Sequence, residues 1–181
     1  MIRLGSNSPT RALILKNFGI DFIQNGGDFD EDSITTTNPK SFCYLATKGK
    51  FEELFKKYGI NEMPLLVADS VVTCEGKLLR KAKDLKDAKS MLELQSGNKT
   101  SVITCMIYKS KEKELIDISI TTYEFLPFDK KHMQEYLDSG ECFGKAGAIM
   151  VEGFCKPYIK NVIGYESCAM GLCVEKLKVY L

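Results

Sequence analysis

Short apolar runs alternate with polar segments in the first third of the chain, and helix-start signals stand between them. Residues 2–4 predict a short strand, and residues 21–24 predict a second one. Between them, Ser8 and Pro9 predict the start of a helix, because serine caps a helix end and proline suits the first turn. An Asn-Pro pair begins a longer helix, expected over residues 38–57.

The middle of the chain has the pattern of a buried strand followed by a helix and a hairpin. Apolar side chains surround Asp69 within residues 65–72 and predict one buried strand. Asp84 predicts a helix cap. Residues 101–108 and 116–125 predict two strands joined by a charged turn, a hairpin that could carry a small lobe of its own.

The remaining pattern predicts a helix after Asp129, a strand over residues 158–163 and a closing helix over residues 166–181. Strands and helices mix along the chain without strict βαβ alternation. We therefore expect an α/β or α+β protein in which helices flank an extended mixed β-sheet and a cleft lies between two lobes.

Composition narrows the classes of function. The chain has 181 residues with a formal net charge of +1, so no global field attracts nucleic acid or a membrane, and any anion site must be local. No apolar run approaches the roughly 18 residues that span a bilayer, and the start has no secretory pattern, so we expect a cytoplasmic protein. Seven scattered cysteines and a single histidine disfavour a zinc site, and the thiols are expected to be buried.

The segment from Ser6 to Arg11 is a candidate phosphate site. It lies where a strand turns into a helix, and a helix N-terminus offers free backbone N–H groups and the positive end of the helix dipole. Ser6 and Ser8 can add hydroxyl donors, and Arg11 can bind an anion bidentately. Taken alone, the segment is better explained as a capped helix with a solvated arginine.

Asp69 is the second candidate. An aspartate within an apolar run is costly to bury unpaired, so it lies at a strand end, in a network or on a metal. Magnesium-dependent phosphate chemistry needs such carboxylates. Lys81 could place a charge on a phosphate, whereas Arg80 and Lys83 fit a solvated face. Lys50 presents the same choice.

Two further segments leave their role open. Glu31 is one of four acidic residues in a loop, some of which serve only to solvate it. The small-residue segment 144–148, which contains Lys145, permits close approach of a ligand and is followed by Glu152. A tight turn between a helix and a strand explains the second segment as well.

Taken together in order, these motifs resemble those of the Maf family of nucleotide pyrophosphatases from Ser6 to about Leu172. The matching elements are Ser6-Asn7-Ser8-Pro9-Thr10-Arg11, Asp30-Glu31, Lys50, Ala68-Asp69-Ser70-Val71-Val72, Arg80-Lys81-Ala82, Gln95-Ser96-Gly97, Lys145-Ala146-Gly147-Ala148 with Glu152-Gly153, and Met170-Gly171-Leu172. An ordered set over nearly the whole chain is far more specific than any one motif.

The resemblance implies a single Maf-like domain over residues 1–181 with a two-lobed Maf/ITPase-like fold, usually a homodimer. It implies cleavage of nucleoside triphosphates between the α and β phosphates with a divalent cation, Mg²⁺ or Mn²⁺, removal of modified or non-canonical nucleotides, and no nucleic acid polymer or membrane as partner. Carried over, the catalytic residues are Asp69, Glu31 and Lys81, and the metal ligands are Asp69 and Glu31. The substrate-binding residues are Ser6, Ser8, Arg11, Lys50 and Lys145, and Thr10, Ser70 and Glu152 stand where family branches differ in substrate.

The chain departs from the family pattern at four positions, namely Thr10, Ala82, Thr100 and Cys173. None removes a carboxylate or lysine that the chemistry needs. Two alternatives stay open at this point. One is a non-catalytic nucleotide-binding regulator of cell division, and the other is an inosine or xanthosine triphosphate pyrophosphatase of similar architecture.

Overall fold

A computed structural model describes all residues, 1–181, and contains seven strands, six α-helices and two 3₁₀ turns. The strands are β1 Ile2–Leu4, β2 Phe22–Gln24, β3 Leu65–Cys74, β4 Lys77–Leu79, β5 Lys99–Lys109, β6 Glu114–Phe125 and β7 Ile159–Ile163. The α-helices are α1 Pro9–Asn17, α2 Pro39–Tyr58, α3 Leu85–Gln95, α4 Lys130–Ser139, α5 Glu166–Ala169 and α6 Val174–Leu177, and the 3₁₀ turns are Glu31–Ser33 and Lys156–Tyr158.

The strands form one mixed sheet in the order β2-β1-β3-β5-β6-β7, with β4 paired to β3. The pairs β1–β2 and β1–β3 are parallel, and the other pairs are antiparallel. The mixed α/β class predicted from the sequence is therefore confirmed. The prediction of a separate small lobe for the hairpin is wrong, because β5 pairs with β3 along ten residues and lies inside the sheet.

Side-chain capping explains why the helices begin where the sequence predicts. Ser8 accepts a hydrogen bond from the backbone N–H of Arg11, and Asn38, Asp84 and Asp129 cap α2, α3 and α4 in the same way. The predicted closing helix over residues 166–181 is wrong. Gly171 has a φ of 109°, which a continuous helix cannot accommodate, and the segment divides into α5 and α6.

Two large hydrophobic clusters pack against the long strands. One combines residues of α3, α4 and the 142–155 segment, and the other combines residues of β1, α1, α5 and α6. β3 contributes to both, through Val72 to the first and through Leu66 and Ala68 to the second. Ser70 shares the strand face of Leu66, Ala68 and Val72 and so lies where the two clusters adjoin, whereas Asp69 faces the other side of the strand, towards α2. None of the helices combines the length and hydropathy needed to cross a membrane.

Candidate active site

A cleft of about 630 Å³ opens at the junction of the two clusters. One wall comes from the β1–α1 loop and the segment 169–171, the other from Lys81 and the segment 143–152, and the floor from β3. The structure brings all the sequence-predicted site residues into this one cleft, namely Ser6, Ser8, Thr10, Arg11, Glu31, Lys50, Asp69, Ser70, Lys81, Lys145 and Glu152.

The loop between β1 and α1 is fixed by side chains that hold its backbone. Ser6 Oγ accepts from the backbone N–H of Ser8 at 3.2 Å, and Ser8 Oγ caps α1. Gln24 donates from Nε2 to the carbonyl oxygens of Ser6 and Ser8 at 2.8 and 3.2 Å. Sequence reasoning missed Gln24, which only becomes adjacent to this loop because β2 pairs in parallel with β1.

Three hydrogen bonds hold the side chain of Arg11 in place. Its Nε donates to the carbonyl oxygen of Gly171 at 2.8 Å, and its terminal nitrogens donate to Ser6 Oγ at 3.0 Å and Ser70 Oγ at 3.3 Å. Burial lowers the pKa of the guanidinium below its usual value, while the charge of Asp69 opposes that effect. Arginine keeps its charge even so, and the guanidinium stays planar and cationic at the cleft.

Lys50 lies between the two carboxylates predicted as metal ligands. Its Nζ is 2.6 Å from Glu31 Oε1 and 2.5 Å from Asp69 Oδ1. Burial acts against charge on both partners, yet the ion pairing outweighs it: the pKa of Lys50 is raised, mainly by Asp69, and the pKa of Glu31 is lowered, mainly by Lys50. Lys50 and Glu31 therefore stay charged, and the Lys50 ammonium compensates the carboxylate of Asp69, which is only 7% exposed.

The two carboxylates fit a divalent cation of the magnesium type. Both reach the same nitrogen, so their oxygens converge on one place, and Mg²⁺ prefers hard oxygen ligands. The chain has no group of three or more histidine, cysteine, aspartate or glutamate side chains that could hold a metal alone. Such an ion would complete its shell with water and phosphate oxygens, which is how Mg²⁺ is commonly bound.

Arg80 is a functional candidate that sequence reasoning dismissed as solvated. Its guanidinium donates to Asp32 Oδ1 at 2.9 Å, lies 3.7 Å from Glu31 Oε2 and sits over the ring of Phe42 at 5.0 Å. It thereby ties the acidic 3₁₀ turn to the strand that leads into Lys81. The acidic run around Glu31 and the basic run around Lys81 have opposite charges, and this match is the signal that could have indicated the pairing. The sequence alone does not show that the two runs lie close together in space.

The segment 143–152 of the opposite wall is tied to Lys81 and its neighbours by backbone contacts. Ala146 pairs with Lys81 in an isolated antiparallel bridge, and the backbone N–H of Gly147 donates to the carbonyl oxygen of Arg80 at 3.0 Å. Gln95, fully buried, donates from Nε2 to the carbonyl oxygen of Gly147 at 2.8 Å. Lys81 itself is exposed and extends from a backbone that these contacts hold in place.

Lys145 and Glu152 do not pair with each other. Lys145 Nζ donates to the carbonyl oxygen of Glu141 at 2.7 Å, within its own turn. Glu152 is exposed, lines the cleft and forms no ion pair. The pairing that the sequence raised between these two residues is therefore absent, and Glu152 is free to meet a ligand.

Comparison with known proteins now bears on this cleft. The family model described as "Maf-like protein" matches residues 1–181. The chain belongs to the Maf family. This confirms the resemblance drawn from the motifs, all of which contribute residues to the cleft or to the helices beside it.

Members of the Maf family with high similarity carry a common name. "Nucleoside triphosphate pyrophosphatase" of a Nitratiruptor species is 54% identical over 98% of this chain and 96% of its own. A protein of the same name from Helicobacter pylori is 42% identical over 96% of this chain and 91% of its own. Among solved structures, the Staphylococcus aureus Ham1 protein has a TM-score of 0.47 and 13% identity over 68% of this chain and 71% of that one, too distant to bear on activity.

Proposed function

We propose that this protein is a nucleoside triphosphate pyrophosphatase, which hydrolyses the α–β phosphoanhydride to give a nucleoside monophosphate and pyrophosphate. One observation carries the proposal: two converging carboxylates, Glu31 and Asp69, share a cleft with Arg11, Lys50 and Lys81. Hydrolysis of a phosphoanhydride needs a base for water and cations for the phosphates, and this cleft contains both. The shared name of the relatives supports the same reaction.

In this mechanism Asp69 accepts a proton from the attacking water as general base. The water oxygen forms a bond to the α-phosphorus, and the bond from that phosphorus to the bridging oxygen breaks. The electron pair leaves with pyrophosphate, so negative charge grows on the leaving group and on the α-phosphate oxygens. Arg11 and Lys81 neutralise that charge, and their fixed backbones favour a preorganised site. No covalent nucleophile is required.

Glu31 and Asp69 are the residues that would hold the divalent metal, Mg²⁺ or Mn²⁺. When bound, the metal would supply Lewis-acid polarisation of phosphoryl oxygens. With the carboxylates on the metal, the displaced ammonium of Lys50 would be free to bind an incoming phosphate. Ser6 and Ser8 would bind phosphate through the hydroxyl groups and N–H groups at the start of α1.

Glu152 is proposed to select the base. An ionised glutamate only accepts hydrogen bonds, so it favours an edge rich in donors, such as that of guanine or cytosine, over the O4 of uracil or thymine. A mispaired polar group costs ~1–3 kcal/mol, which is a bias of roughly tenfold to hundredfold. Ser70 stands beside Arg11, and Thr10 lines the same cleft, so both are proposed to tune the fit.

The test is a panel of ordinary and modified triphosphates, including inosine and xanthosine triphosphates, with pyrophosphate release and kcat/KM measured for each. We expect guanine-type or cytosine triphosphates to exceed dTTP and UTP, and Glu152→Gln to shift activity towards dTTP and UTP. A wild-type protein that prefers dTTP and UTP would contradict the role of Glu152. A wild type that releases no pyrophosphate from any triphosphate would contradict the proposed function and favour a nucleotide-binding regulator.

Membership of the Maf family leads us to two further proposals. We propose that the protein is a homodimer, which light scattering coupled to size-exclusion chromatography measures directly. We also propose that it acts on free nucleotides in the cytoplasm, with no nucleic acid polymer or membrane as partner. Digestion of DNA or RNA by the purified protein would contradict the second proposal.

A further inference from the structure

One exposed aromatic ring stands out on the wall of the cleft. Phe143 is 41% exposed and lines the cleft. The other aromatic residue that lines it, Phe29, packs on α2 so closely that a Cβ at Gly49 would lie 2.2 Å from its ring. Phe143 therefore presents most of the aromatic surface available to a ligand.

The turn that carries Phe143 is held in place. Its backbone N–H donates to the carbonyl oxygen of Gly140 at 3.2 Å, and Lys145 Nζ donates to the carbonyl oxygen of Glu141 at 2.7 Å. The preceding residue, Cys142, is fully buried in the core. A turn held in this way loses little backbone conformational entropy when a ligand covers its aromatic ring.

The segment that follows Phe143 meets β3 at Val72. Gly147 packs on β3 so tightly that a Cβ there would lie 2.8 Å from the side chain of Val72. Val72 is three residues beyond Asp69 on β3, and a strand rises about 3.3 Å per residue. The Cα atoms of the two residues are therefore about 10 Å apart. A ribose separates the α-phosphate from the base, so a base-binding surface belongs at such a remove from the reacting phosphate.

Apolar side chains surround this end of the cleft. Ala146, Ile149 and Val151 line the cleft in the segment that follows Phe143, and the charged residues of that segment are Lys145 and Glu152. Apart from Lys145, whose Nζ is bonded to the carbonyl oxygen of Glu141, the basic and hydroxyl groups proposed to bind phosphate lie at the start of α1, on α2 and at Lys81. The cleft thus has a polar part that suits phosphates and an apolar part that suits a flat ring.

We infer that Phe143 is the stacking platform for the nucleobase, an inference that rests on the proposed function. Stacking on an aromatic side chain tolerates every base, because each base has a π-face. Phe143 therefore supplies affinity for any nucleotide, and Glu152 supplies the preference among them. Loss of the ring should weaken nucleotide binding by about tenfold to hundredfold without selecting between bases.

The first experiment measures the Kd of the full chain by calorimetry, so that it does not depend on turnover. The probes are α,β-methylene analogues of GTP and UTP, and inorganic tripolyphosphate, which has the phosphates without the base. We expect Phe143→Ala to weaken both analogues by a similar factor and to leave tripolyphosphate binding unchanged. Phe55→Ala is the matched control, since Phe55 is 38% exposed on α2 and lies outside the cleft lining.

A second variant tests the same inference if Phe143→Ala folds poorly. The chain contains no tryptophan, so Phe143→Trp creates a single indole fluorophore at the proposed platform. We expect the methylene analogues to quench its emission and tripolyphosphate to leave it unchanged. Unaltered analogue affinity in Phe143→Ala, equal weakening of tripolyphosphate, or unquenched emission in Phe143→Trp would each overturn the inference. A wild type that binds the analogues but releases no pyrophosphate would defeat the proposed function alone.

Discussion

Replacing Lys50 by methionine removes the ammonium that bridges Glu31 and Asp69 while keeping much of the side-chain volume. Removing one partner of a fully buried ion pair costs ~3–5 kcal/mol, because the other charge is left uncompensated. Here the side chains of Lys50, Glu31 and Asp69 are 22%, 25% and 10% exposed, so solvent screens part of that loss. We expect a decrease of about 2–3 kcal/mol in the free energy of unfolding in metal-free buffer.

For a chain of this size, 1 kcal/mol corresponds to roughly 2–4 °C, so the melting temperature of Lys50→Met should fall by roughly 4–12 °C. A divalent cation should raise the stability of Lys50→Met by more than it raises the stability of the wild type. The reason is that in the wild type the cation must displace the ammonium of Lys50. Saturation at 100 times Kd contributes about 2.7 kcal/mol. Thermal or urea unfolding with and without Mg²⁺ measures both effects.

Lys48→Met is the control, because Lys48 lies on the same helix and pairs only with exposed Glu52 at 3.6 Å. An i,i+4 surface pair of this kind contributes about 0.3–0.5 kcal/mol, so this variant should melt close to the wild type and respond to Mg²⁺ as it does. The reasoning is refuted if Lys50→Met is as stable as the wild type in metal-free buffer. It is equally refuted if Mg²⁺ raises the melting temperatures of the two proteins by the same amount.

Three other predictions test the cleft and the core. Asp69→Asn should lower kcat by ~100-fold or more, because the amide cannot accept the proton of the attacking water; near wild-type pyrophosphate release would show that Asp69 is not the base. Lys81→Ala should sharply reduce kcat/KM while Lys83→Ala, on an exposed side chain outside the cleft lining, stays near wild type; equal losses would assign the phosphate contact to the wrong lysine. Burial raises the pKa of Cys105 to about 11 and of Cys155 to about 12, so their thiols stay protonated at pH 8 and should resist Ellman's reagent in the folded protein. Guanidinium-unfolded protein should release all seven thiols, and rapid labelling of the folded protein would contradict the buried placement.

The elements of the fold were predictable wherever a local signal defines them. The caps at Ser8, Asn38, Asp84 and Asp129 each accept the hydrogen bond that their sequence context predicts. The segment after Glu166 was not predictable in the same way. Its apolar spacing fits a helix, but the backbone at Gly171 has a positive φ, and the carbonyl oxygen of Gly171 accepts from Arg11 on the distant helix α1.

The members of the candidate site were predictable from motifs, whereas their pairings were not. Residue type and order predict Glu31, Lys50 and Asp69 as site residues. Only the packing of α2 against β3 places the Lys50 ammonium between the two carboxylates. Arg80 looked like one more solvated charge because its partner Asp32 lies 48 positions away. Long-range charge pairing leaves no local pattern in a single sequence.

The bond from Arg11 to the carbonyl oxygen of Gly171 joins positions 160 residues apart. A nascent chain that has emerged only as far as β7 therefore holds its arginine without this anchor. The helices that flank Gly171, α5 and α6, have four residues each, too few to be stable unless they dock on the core. Nucleotide binding should thus develop only once residues 166–177 have been synthesised, and turnover can serve as a reporter that this segment has docked.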